Sequence, residues 1–221
     1  MRYTIITPTI CRSFLPRLCE SIDAQTSRDW EHIIAVDIPE NSMTREQRKL
    51  VASIPVRENR IFVYCDRKHR NFGNTCRHNA WAHANGEYIF YVDDDDYLSD
   101  NSVLSALDSV TELWAVFPLL RHGQRFFALP PKICNIGGGM FMHKKELGRW
   151  PDCQAYEADG IFVEELAQKY PYQVLDEKPL VIQPQSSFGL KNVHSWWGKR
   201  AARYISRRLW QRYLDKAASQ E

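Results

Sequence analysis

Tyr88-Ile89-Phe90-Tyr91-Val92-Asp93-Asp94-Asp95-Asp96 is an apolar run that ends in four consecutive carboxylates. The run is short, aromatic and β-branched, and Gly86 stands just before it, so it reads as a buried strand. A strand that ends in acids delivers them to one edge of a sheet. There they repel each other unless something cationic joins them. Mg²⁺ and Mn²⁺ prefer a few carboxylate oxygens plus substrate phosphates, so a metal carrying phosphates answers the repulsion. An acidic run also suits a solvated turn or a helix N-terminus, and Asp96 to Asp100 has the composition of a turn into a following helix. The strand before it and the segments around it favour the metal–phosphate reading.

Working outward, strands and helices alternate. Strands are expected at Tyr3 to Thr7, His32 to Val36 and Ile61 to Tyr64, with Pro8 ending the first. Helices are expected at Ser13 to Ala24, Thr44 to Ser53 (Thr44 as N-cap) and Asn74 to Ala84. A β-α-β-α-β-α-β order predicts an α/β fold with a mainly parallel sheet flanked by helices. Ligands meet such sheets at the carboxyl ends of strands. Thr9, Asp37, Asp66 and the Asp93 to Asp96 run all follow strand ends, so they are expected to share one crevice. The second half is less regular. It holds short strands or loop at Trp114 to Leu120 and Arg125 to Leu129, then Gly137-Gly138-Gly139 before a strand from Met140 to His143. A helix follows from Asp159 to Lys169, and a last strand lies within Gln173 to Ile182.

With 221 residues the chain is long enough for one substantial domain, and its apolar and charged fractions are those of a globular protein. No apolar run approaches the roughly 18 residues of a membrane-spanning helix. The N-terminus shows no signal-peptide apolar region, so a cytoplasmic location is expected. The six cysteines show no CxxC pair and no zinc-ligand spacing, and they read as reduced, mostly buried thiols. From residue 191 onward eight basic residues face only Asp215 and Glu221. Ser195 to Ala218 is expected to form a basic amphipathic helix, which can lie on an anionic membrane or pack across the core with its arginines solvated. Mixed charge elsewhere gives no continuous footprint for nucleic acid.

Several of these segments together resemble family 2 glycosyltransferases. Ile5-Ile6-Thr7-Pro8-Thr9 is similar to that family's opening strand and turn. Arg12, Leu15, Leu18, Ser21-Ile22 and Gln25 resemble its first helix, and Trp30 to Asp37 its second strand. Thr75-Cys76-Arg77-His78 resembles its "aRN" segment, with His78 in place of the usual Asn. Ala84 to Asp96 resembles its block ending in the DxD motif. The likeness covers about residues 3–100 well and 135–195 more loosely.

The resemblance implies a GT-A fold and transfer from a nucleoside diphosphate sugar to a glycan or glycoconjugate acceptor, with Mn²⁺ or Mg²⁺ as cofactor. A UDP-sugar is the first expectation. By the same resemblance Thr9 and Asp37 hold base and ribose, and Arg77 approaches the base or diphosphate. Asp95 is the metal ligand, Asp93 faces the ribose, and Asp94 is a supporting acid. Strand alternation is expected to put Asp93 and Asp95 on one side, with Asp94 and Asp96 on the other. Gly138 lies in the glycine loop that donor and acceptor approach. Asp159 is the expected catalytic base, with Glu157 as runner-up and Ala158 between them as a departure from the family's acidic pair. His194 is expected on the metal or diphosphate. The implied organisation is a transferase domain over 1–190 (donor half 1–100, acceptor half 101–190) followed by the basic segment 191–221. Two other readings are a nucleotidyltransferase, for which the loop Pro8 to Ser13 lacks the required glycines, and a nucleotide-sugar-binding module without turnover.

Overall fold

The computed structural model describes residues 1–184, which form one compact unit. His194 and the expected helix at 195–218 lie outside the described residues. In chain order the elements are β1 (Tyr3–Thr9), α1 (Leu15–Asp23), β2 (Trp30–Val36), α2 (Arg45–Ser53), β3 (Arg60–Tyr64), α3 (Asn74–Ala80), β4 (Tyr88–Tyr91) and β5 (Tyr97–Leu98). They continue with α4 (Val103–Leu107), β6 (Trp114–Val116), β7 (Leu119–Arg121), β8 (Gln124–Phe126), β9 (Phe141–Lys144), α5 (Ala158–Lys169), β10 (Gln173–Val174) and β11 (Val181–Gln183).

Seven strands form the central sheet in the order β10-β6-β9-β4-β1-β2-β3. The pairs β1–β2, β2–β3 and β1–β4 are parallel, as the alternation of strands and helices predicts. β9 runs antiparallel between β4 and β6. A smaller sheet, β5-β11-β7-β8, is built from strands of two or three residues each. The core lies against the strands: Phe90 and Tyr91 are fully buried, Phe90 meets Phe117 edge-on at 5.5 Å, and Tyr91 meets Trp150 at 4.7 Å. Burying one such ring contributes roughly 1.5–3 kcal/mol.

β1 runs to Thr9, two residues past the expected end at Thr7. Pairing with β4 ends at Ile6 and Tyr91, and Val92 N–H closes that edge on Ile6 C=O at 3.1 Å. By strand alternation the missing N–H of Pro8 faces the same edge, where no further ladder bond is needed, while pairing with β2 continues to Thr9. α2 starts as predicted, with a reciprocal capping box between Thr44 and Gln47. α3 stops short of Ala84 and passes into a 3₁₀ turn at Trp81–His83. The early stop brings Asn85 and Gly86 to the buried Glu31 carboxylate, which accepts both backbone N–H groups, Asn85 Nδ2 at 3.0 Å and Thr4 Oγ1 at 2.5 Å. Burial alone raises the Glu31 carboxyl, but these donors together hold it below the usual value. Gly86 is obligatory there, since a Cβ would stand 2.5 Å from Thr4 N.

Candidate active site

The chain builds β1, β2 and β3 to one side of β1 and then places β4 on the other. The strand order therefore reverses between β1 and β4, and the carboxyl ends of these two strands flank the crevice where α/β sheets take ligands. Thr9 ends β1, and the aspartate run follows β4.

Asp94 and Asp95 sit in a turn rather than on an extended strand, and Asp96 N–H closes it on Asp93 C=O at 3.0 Å. The expected two-and-two division of the carboxylates holds, but the turn produces it. Asp94 and Asp96 are 0% and 4% exposed, while Asp93 and Asp95 are only half-buried. Asp94 Oδ2 accepts the Thr9 hydroxyl at 2.5 Å, and Thr9 Oγ1 in turn accepts Cys11 N–H at 2.8 Å. Arg12, just past β1, spans two of the acids: Nε lies 3.3 Å from Asp94 Oδ1 and Nη1 lies 2.5 Å from Asp95 Oδ2. Arg77 of α3 pairs with Asp93, donates to Phe72 C=O at 2.9 Å and lies 4.5 Å over the Trp150 ring.

Among the described residues two guanidinium groups thus oppose four carboxylates, and the excess acid shows in the raised carboxyls. Burial pushes Asp94 up to about 6 against the opposing pull of Arg12 and Thr9. Burial also raises Asp95, and it lifts Asp96 well above the usual carboxylate range with added repulsion from Asp93 and Asp95. Asp96 Oδ1 has no hydrogen-bond partner among the described residues. A site with surplus negative charge, hard oxygen donors and two half-exposed carboxylates fits a hard divalent cation. Asp93 and Asp95 are the two of the four that reach solvent.

Asp159 enters from the first turn of α5. Burial raises its carboxyl to about 6, opposed by Gly160 N–H and by Arg77, and the Asp93 charge adds to the rise. Arg77 and Asp93 thus join Asp159 electrostatically to the aspartate turn. Glu157, the N-cap position of α5, is 8% exposed, and its Oε2 lacks a hydrogen-bond partner among the described residues. No hydrogen bond or ion pair among the described residues ties Glu157 to the turn. Asp37 is buried, and its carboxylate accepts His69 N–H at 2.7 Å and Arg70 N–H at 3.2 Å. Asp66 is exposed beside His69, with Oδ1 3.2 Å from Nε2, and it does not contact the four aspartates. A Cβ on Gly138 would make only ordinary contacts, the nearest 3.5 Å from Trp150, whereas one on Gly139 would press on Val181 at 3.1 Å. His78, at the position where the resembled family has Asn, shares a hydrogen bond with Trp150 C=O at 2.7 Å.

The sequence reading gave no charge role to Arg12 and did not single out Trp150. A basic residue three positions after a strand whose neighbour ends in four acids was the available signal for Arg12. Trp150 carried none, because its partners Arg77 and Tyr91 are about 60–70 residues away along the chain. A surface hollow lined by Trp81, Glu87, Lys144, Lys145 and Glu146 lies at the amino end of β4. That is the opposite edge of the sheet from the acids.

Comparison with known proteins agrees with this geometry. A curated relative, a GalNAc(5)-diNAcBac-PP-undecaprenol beta-1,3-glucosyltransferase of Campylobacter jejuni, is 24% identical over 115 residues, 52% of this chain and 36% of the relative. The chain therefore spans about a third of that protein. Among solved structures, S. aureus TarS 1–349 in complex with UDP-GlcNAc superposes with a TM-score of 0.68 at 15% identity, covering 85% of this chain and 59% of that 1–349 chain. The mannosyltransferase PcManGT of Pyrobaculum calidifontis, in complex with GDP-Man and Mn²⁺, gives 0.63 at 16% identity, covering 85% and 58%. These likenesses show the GT-A fold. Residues 4–149 match the family described as "Glycosyl transferase family 2", a span that holds β1 through β9, Arg12, Arg77 and the whole aspartate turn. The chain belongs to glycosyl transferase family 2.

Proposed function

We propose that the protein transfers one sugar from a nucleoside diphosphate sugar, a UDP-sugar in the first instance, to a hydroxyl of a glycan or glycoconjugate with inversion at the anomeric carbon. The observation that carries this reading is the turn of four aspartates held by Thr9, Arg12 and Arg77 at the sheet's switch point. One half-buried carboxylate, apart from a turn of four, suits the division between a base and a charge-binding site.

In this reading residues 1–100 bind the donor and 101–190 shape the acceptor side. Asp95, with Asp93 beside it, would hold Mn²⁺ or Mg²⁺, which would neutralise charge on the diphosphate leaving group. Asp94 stays behind them and fixes Thr9 and Arg12. Thr9 and Asp37 contact base and ribose, Asp37 through the lone pairs that His69 and Arg70 leave open. Asp66 stands at the rim, and Gly138 leaves room for donor and acceptor to approach the backbone. Arg77 holds Asp93 in place and pulls the Asp159 carboxyl down, which keeps Asp159 ionised near neutral pH. Asp159 then takes the proton of the acceptor hydroxyl during attack, and Glu157 stands at the N-cap position of the helix that carries it.

The test is a panel of nucleoside diphosphate sugars scored by thermal shift and by slow donor hydrolysis, with and without Mn²⁺. A matching donor at a hundredfold excess over its Kd stabilises the folded chain by about 2.7 kcal/mol. Asp95→Ala should abolish the cation-dependent part of that shift. Binding without hydrolysis or transfer in any pairing would favour the inactive binding module. Absence of both across the panel would refute the transferase reading for those donors.

A further inference from the structure

A second group of ligating side chains lies at the neighbouring strand ends, apart from the aspartate turn. Val36 pairs with Tyr64 at the ends of β2 and β3, and Cys65 N–H continues the ladder to Val36 C=O at 2.9 Å. The register therefore sets Asp37 and Cys65 side by side. His69 is fastened to the same place by its backbone N–H, which donates to Asp37 Oδ1 at 2.7 Å. One ligating atom from each of Asp37, Cys65 and His69 lies within 4.8 Å of the other two. Cys76, in the first half of α3, brings its Sγ to 3.3 Å from Cys65 Sγ. The two thiols are 7% and 1% exposed.

We propose that Asp37, Cys65, His69 and Cys76 form a closed binding site for a thiophilic divalent cation, Zn²⁺ by ligand chemistry. Two thiolates, an imidazole and a carboxylate make a four-ligand set of the kind zinc takes in tetrahedral sites, and thiolates select against Mg²⁺ and Mn²⁺. Zn–S bonds of about 2.3 Å put two thiolates roughly 3.7 Å apart, so the sulfurs need to open by only a few tenths of an ångström. A disulfide would require them to close by more than about 1 Å. Asp66 Oδ1, 3.2 Å from His69 Nε2, supplies the outer carboxylate that orients a metal-bound imidazole, and Nδ1 becomes the ligand. One S–H is shared between Cys65 and Cys76, which lowers the Cys65 thiol and raises that of Cys76, so the first thiolate is favoured and the second forms as the cation displaces its proton. With all four positions filled by protein, the ion is a clamp joining β2, β3 and α3 rather than a catalytic centre, and Asp37 binds it through one carboxylate oxygen while the other keeps a lone pair for the nucleotide. Binding displaces the two thiol protons to solvent, and no oxidant or reductant takes part.

The experiment titrates the reduced, metal-free full chain with Co²⁺ and reads the near-ultraviolet thiolate-to-cobalt charge-transfer band. One equivalent should produce the band, and Zn²⁺ should remove it by displacement. Co²⁺ bound at the aspartate turn gives no such band, so Asp95→Ala should leave it intact whether or not the transferase reading holds. Cys65→Ser with Cys76→Ser should abolish it. In case that buried pair misfolds, His69→Ala, on a half-buried loop residue, should weaken Co²⁺ affinity at least about tenfold while circular dichroism stays native. Zn²⁺ added to the unaltered chain should also release protons. A folded, reduced wild-type chain with no charge-transfer band overturns the proposal, as does a band indifferent to both the cysteine and histidine changes.

Discussion

Replacing Asp94 with Asn tests the electrostatics of the site without changing its shape. Asp94 is fully buried, and burial lifts its carboxyl from 3.8 to about 6. The folded chain therefore holds a proton on Asp94 over a pH range in which the unfolded chain has lost it. The stability this provides is complete below about pH 4 and is lost as pH rises through about 6. At about 1.4 kcal/mol per unit, the loss by pH 7 is roughly 3 kcal/mol, of which about 2 falls between pH 4.5 and 7. Asn keeps an oxygen for the Thr9 hydroxyl but carries no charge at any pH. It also gives up the ion pair with Arg12, whose pull is already contained in the net rise to about 6. Removing that net penalty should stabilise the variant at pH 7, and the slope separates it from any change in packing. Urea unfolding in chelator at several pH values should show the wild type losing about 2 kcal/mol more than Asp94→Asn between pH 4.5 and 7. Parallel pH profiles for the two proteins would refute the claim that Asp94 carries a strained, buried charge at neutral pH.

Asp159→Asn should lower kcat by roughly 10²–10⁴ while donor affinity, read by calorimetry, changes little. In the wild type, kcat/KM should rise through about pH 6 as Asp159 ionises, and the variant should lose that limb. Gly86→Ala would push a Cβ onto Thr4 N and should cost about 1–3 kcal/mol in chemical denaturation, although it touches no proposed ligand. Thr44→Ala removes the capping box of α2 and should cost about 1 kcal/mol with activity unchanged, a control for loss of stability alone.

The strand–helix alternation, the four acids at a strand end and Thr9 at the neighbouring strand end were all legible in the sequence. They are local signals, set by the two-residue period of strands, the 3.6-residue period of helices and the chemistry of residues that break them. Gly86 before β4 and Thr44 before α2 belong to the same class. The sequence also gave a correct division of the aspartates for the wrong reason. Alternation was assumed along an extended strand, whereas the chain turns at Asp94 and Asp95 once β4 has lost β1 as a partner.

Tertiary structure alone decided which distant residues share a charge environment. Arg12 bridges Asp94 and Asp95 from more than 80 residues away, and Arg77 meets both Asp93 and Trp150. Asp159 was a candidate by position, but only the packing of α5 brings it under the influence of Arg77 and Asp93 and leaves Glu157 aside. The sequence likewise counted Cys65 and Cys76 as two of six thiols without ligand spacing. Three of the six are buried, two are half-buried and Cys134 is exposed, but register and helix packing put these two sulfurs 3.3 Å apart. Electrostatic coupling and ligand geometry depend on distances through space and on water excluded between groups. Both are fixed when the sheet registers and the helices pack, and neither is written in the spacing along the chain.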